Sequence, residues 1–62
     1  MDVTEALERL RGVAEWIDDR SFDLLREAVA EGQTRRPDAD KVLQQARRAI
    51  DKAIRSLESL EE

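Results

Sequence analysis

The chain has 62 residues, a net charge of −4, 42% charged residues, and neither cysteine nor histidine. At this length there is room for one domain, and a lone core is marginal because only about 60% of the extended-chain surface is buried on folding. Disulfides, thiolate chemistry and the usual zinc, haem and iron–sulfur ligand sets are excluded, so oligomerisation is the remaining staple for so small a fold.

From the N-terminus, Asp2 and Glu5 read as a capping box. A first helix then runs to about Ile17. Its stripe is Val3, Ala6, Leu7, Leu10, Val13, Ala14 and Ile17, at i, i+3, i+4 spacing. Glu5 with Arg9 and Arg11 with Glu15 form i,i+4 ion pairs on the wet side. Gly12 is a weak spot inside the helix, or a place where another backbone approaches closely.

Asp18 to Ser21 interrupts the apolar pattern, and Asp19 or Ser21 can cap a second helix from Phe22 to about Glu31. In that helix Phe22, Leu25, Ala28 and Val29 face inward, with Leu24 at the flank. None of the four interrupting residues is Gly or Pro, so a continuous helix from Val3 to Glu31 is the competing reading. Trp16 and Phe22, the two aromatic residues, flank the interruption. They either close one end of the core or, for Trp16, anchor another chain.

Gly32 suits a left-handed helix stop, and Gln33 to Pro37 reads as a loop, with Pro37 disfavouring helix at Arg36. Asp38 is expected to cap the last helix, and Asp40 to complement its dipole. That helix runs to about Leu60. Leu43, Ile50 and Leu57 recur every seven residues, Ala46, Ala53 and Leu60 follow three later, and Val42, Ala49 and Ile54 widen the stripe. The tail Glu61-Glu62 opposes the helix dipole and is expected to fray.

The expected fold is one all-α domain over residues 1–62, a small bundle of three antiparallel helices at about 3–17, 22–31 and 38–60. The alternative is a two-helix α-hairpin that dimerises into a four-helix bundle. With a first helix ending near Ile17, part of the long last helix overhangs its neighbours. A homodimer is therefore expected, with a candidate interface of Ile50, Ile54, Leu57, Leu60 and Trp16. Residues 1–34 carry a net −5 and residues 35–55 a net +4, so the two segments can pair crosswise in an antiparallel two-fold arrangement.

No catalytic residues are expected. The paired carboxylates Asp18-Asp19, Asp38-Asp40 and Glu61-Glu62 lie at helix ends or the tail, where caps and solvated acids are ordinary, and the hydroxyls lack a histidine to activate them. No cofactor, metal or small-molecule ligand is expected. The function expected is a protein-interaction or oligomerisation module.

A nucleic-acid-associated role is the alternative. Lys41, Arg48 and Arg55 are spaced by seven opposite the apolar seam, with Lys52 beside them, and such a row can track phosphates. The acidic total and the lack of interleaved aromatics weigh against it. No apolar run approaches a membrane span, the acidic, amphipathic N-terminus is unlike a signal peptide, and a cytoplasmic location is expected. Nine arginines against two lysines, with a carboxylate excess, are compatible with a halophilic or GC-rich source.

The opening EALERLRGVAEWI is similar, in its Ala, Leu and Glu spacing, to the first helix of the exonuclease VII small subunit, an α-hairpin protein. The RRPDAD stretch departs from that family's second helix. In length and possible hairpin architecture the chain also resembles Rop-type RNA-binding dimers, with no shared motif. Neither likeness assigns a family.

Overall fold

The computed structural model describes residues 1–33 and 37–61, and these form two helices. α1 is Val3–Ala30 and α2 is Asp38–Glu58, with a short 3₁₀ turn at Ser59–Glu61. The helices run antiparallel. Thr4 lies opposite Glu61, Arg11 opposite Glu58, Asp18 opposite Arg47 and Ser21 opposite Gln44. The result is a rod 48 × 15 × 14 Å. Among the described residues no helix is long and apolar enough to cross a membrane.

The all-helical class holds, but the expected three helices are two. Asp18 to Ser21 does not break the first helix, and the segments expected at 3–17 and 22–31 are one element. The reason is phase. Leu7, Ala14, Ser21 and Ala28 continue one row at intervals of seven, and Ile17 lies on the adjoining row; all five are buried. Ser21 is tolerated in that row because its hydroxyl accepts a hydrogen bond from the Gln44 amide at 3.1 Å, so the buried polar group keeps a partner.

Continuity also corrects the expected faces. Phe22 and Val29 are not inward-facing but 61% and 74% exposed, whereas Ala28 is buried and Leu24 and Leu25 are half-buried. A helix restarting at Phe22 sets its own phase; an unbroken one inherits the phase of Leu7 and Ala14. Neither Trp16 nor Phe22 closes the core. The Arg26 guanidinium instead lies over the exposed Phe22 ring, 5.7 Å from its centre. The overhang expected of the last helix is absent too, since α1, with 28 residues, is longer than α2, with 21.

The helix ends follow local chemistry. Asp2 accepts from the Glu5 N–H at 2.9 Å, as a capping residue should. The Glu5 carboxylate pairs with Arg9 at 3.4 Å. At the other end of α1, Gly32 has φ +78°. Its N–H donates to the Val29 carbonyl and that of Gln33 to the Ala28 carbonyl, which is the Schellman arrangement. Asp38 is not the cap of α2. Pro37 occupies that place in an extended conformation, and its carbonyl accepts from the N–H groups of Asp40 and Lys41. Asp38 and Asp40 fall in the first turn, where their charge complements the helix dipole; Asp40 is fully buried. The loop reading at Thr34 to Arg36 and the fraying expected of Glu62 lie outside the described residues. Glu61 accepts from the Thr4 hydroxyl at 3.3 Å.

The two glycines therefore separate by function in the fold. Among the described residues nothing lies within 4 Å of a Cβ built at Gly12, so the close-approach reading of that position finds no neighbour there. Gly12→Ala should stabilise the chain by up to about 1 kcal/mol, seen as a melting temperature raised by a few degrees, about 4–8 °C per kcal/mol for a domain of this size. Gly32→Ala should destabilise by about 1–2 kcal/mol, because the left-handed conformation penalises a Cβ. Equal shifts of the two variants in thermal denaturation would contradict this assignment.

Candidate oligomer interface

Two helices touch along one line, so each keeps an open side. Among the described residues the fully covered hydrophobic side chains are Leu7, Ala14, Ile17 and Ala28, all on α1. In α2 the only buried residue is Asp40. Leu43, Ala46, Ile50, Ala53, Ile54 and Leu57 are each half-buried. The helix with the more regular apolar stripe thus has no fully covered apolar side chain.

The two long edges of the hairpin differ in chemistry. One is polar. Arg11 meets Glu58 at 2.9 Å, and Arg47 bridges Asp18 at 3.3 Å and Asp51 at 3.2 Å. Arg11 is thus drawn across the hairpin rather than to Glu15, its expected partner. Arg11, Ala14, Glu15, Arg47, Asp51 and Ile54 line a shallow furrow along this edge.

The opposite edge is apolar over the half of the hairpin nearer the chain ends. Thr4, Arg11 and Asp18 mark the polar edge of α1 at intervals of seven. Helical geometry places Ala6 and Val13, and Trp16 beyond them, on the other flank. On α2, by the same geometry, that flank carries Ala46 and Ala53, with Val42, Ala49 and Ser56 outside them, and the 3₁₀ turn adds exposed Leu60 past the helix end. Trp16 is 60% exposed, Leu60 67% and Val42 63%.

The five residues expected at an interface are therefore divided. Ile50 and Leu57 lie half-buried along the helix contact, Trp16 stands exposed on the apolar edge, Leu60 is exposed in the 3₁₀ turn, and Ile54 lines the polar furrow. Residue types alone missed the separate patch of Phe22, Leu25 and Val29 near the turn. The unbroken seven-residue row through Ser21 was the available signal for it. Lys41, Arg48, Lys52 and Arg55 are all exposed on α2, with Lys41 paired to Asp38 at 3.7 Å. Among the described residues no group of carboxylates is placed to hold a metal ion. Comparison with protein-family models, curated proteins and solved structures finds no match to this chain.

Exposed ion pairs of the Arg11–Glu58 kind contribute about 0.2–1 kcal/mol. Arg11→Glu should lower stability by about that amount, less so in high salt, and should leave the association state unchanged, because it lies on the edge facing away from the apolar flank. A loss of self-association in sedimentation, with the chain still folded, would show that the edges have been assigned the wrong way round.

Proposed function

We propose that this chain is a protein-interaction module without a catalytic site, and that it works as a homodimer in which two α-hairpins complete one four-helix bundle. The observation that carries the reading is the half-covered stripe of α2, joined by exposed Trp16, Val42 and Leu60. Covering a large apolar side chain fully contributes about 1.5–3 kcal/mol, so a few of them supply what a 62-residue core lacks. One long side of a body 48 × 15 × 14 Å is on the order of 700 Å², close to the ~800 Å² per partner of a standard stable interface.

Sedimentation should give twice the 7.1 kDa chain mass at micromolar concentration. Ala49 is exposed in the single hairpin, so Ala49→Glu should yield a smaller species that remains helical by circular dichroism. Ile54→Asp disturbs the furrow within the hairpin and should lower the stability of the hairpin itself. A fully folded single chain at high micromolar concentration would remove the dimer reading.

A second reading is a nucleic-acid-associated protein, favoured by the exposure of Lys41, Arg48, Lys52 and Arg55 on α2. Among the described residues Arg48, Lys52 and Arg55 make no ion pair, so their charge is available to phosphates. On that reading, short duplex and single-stranded probes bind at low salt. Binding weakens steeply as salt rises and is lost with Arg48→Glu plus Arg55→Glu. Absence of binding at low salt removes it.

A further inference from the structure

We infer that the second copy lies on the apolar edge with its chain ends beside those of the first, so that each Trp16 is covered by Ala46, Ala49 and Ala53 of the other copy's α2. The inference rests on the dimer reading and adds its geometry.

Two stackings of identical hairpins are compatible with two-fold symmetry. In one, the axis runs along the helices and each α1 lies beside the α2 of the other copy. In the other, the axis is perpendicular to the helices and each α1 lies against its own counterpart. The distribution of charge along the α1 flank separates them. Its first half carries Ala6, Val13 and Trp16, with Arg9 as the one charge on the row of Trp16; its second half carries Arg20, Asp23 and Glu27. A perpendicular axis at mid-helix lays Val13 against Arg20 and Ala6 against Glu27 of the second copy, desolvating the exposed Arg20–Glu27 pair, 3.9 Å apart, against apolar side chains.

An axis along the helices keeps apolar surface on apolar surface over the half nearer the chain ends, while Asp23 falls at the height of Val42 beyond it. Asp18 is opposite Arg47 within the hairpin, so Trp16 stands at the height of Ala49, and Val13 at that of Lys52 and Ala53. The same heights apply across the axis. The largest exposed side chain on the α1 flank then meets the smallest side chains on α2, where Ala46, Ala49 and Ala53 leave room for an indole. The net −5 segment of each chain also lies beside the net +4 segment of the other.

Trp16 is the only tryptophan, and the chain has no cysteine, so both readouts are clean. Trp16 emission should shift to shorter wavelength as concentration raises the dimer fraction measured by sedimentation, and Ala49→Glu should abolish the shift. Under mild oxidation, Val13→Cys chains mixed with Ala53→Cys chains should give a mixed covalent dimer in preference to either homodimer. Ala49→Cys alone should not cross-link. A doubled mass with unshifted emission, or with efficient Ala49→Cys self-linkage, overturns this arrangement and leaves the dimer reading standing. A folded single chain at every concentration overturns both.

Discussion

A pair of helices can enclose nothing. Each presents a cylinder to the other, contact is confined to one line, and any side chain off that line retains a wet side. That constraint explains why a chain with 40% hydrophobic residues covers so few of them fully. Seven-residue rows supply apolar side chains over more than one line of contact, and one neighbour covers one line. The surplus of α2 is therefore a consequence of helix number.

The seam that does form is mixed. Leu7, Ala14, Ile17 and Ala28 exclude water along α1, while Ser21 inserts a polar group that Gln44, at the same height on α2, satisfies. Such a pair adds little net stability but opposes other alignments, since a slip of the helices leaves the serine hydroxyl buried without its partner. The ion pairs from Arg11 and Arg47 mark the same alignment at the edge. They also make that edge polar over the half of the hairpin nearer the chain ends.

Much of this was readable in the residues, and what was misread is instructive. The cap at Asp2, the stop at Gly32 and the long last helix depend on residues within a few positions of each other, so local patterns suffice. Asp18 to Ser21 was ambiguous because a cluster of polar residues has two meanings: a break with its own cap, or solvent-facing positions plus one satisfied core serine. Gln44, which decides between them, lies 23 residues away. The misplacement of Phe22 and Val29 follows from that same ambiguity, and so does the supposed overhang of the last helix.

Among the interface candidates, the sequence by itself determined which residues are apolar and at what spacing: Leu43, Ile50 and Leu57 on one row, Ala46, Ala53 and Leu60 on the next. Tertiary structure decided which of these lie along the helix contact, and that Ile54 belongs to a polar furrow while Trp16 and Leu60 stay exposed. Periodicity describes a helix as a cylinder with a stripe, without a direction. The direction is set only when a second helix, held by Asp18–Arg47 and Ser21–Gln44, takes one side of that cylinder and leaves the other open.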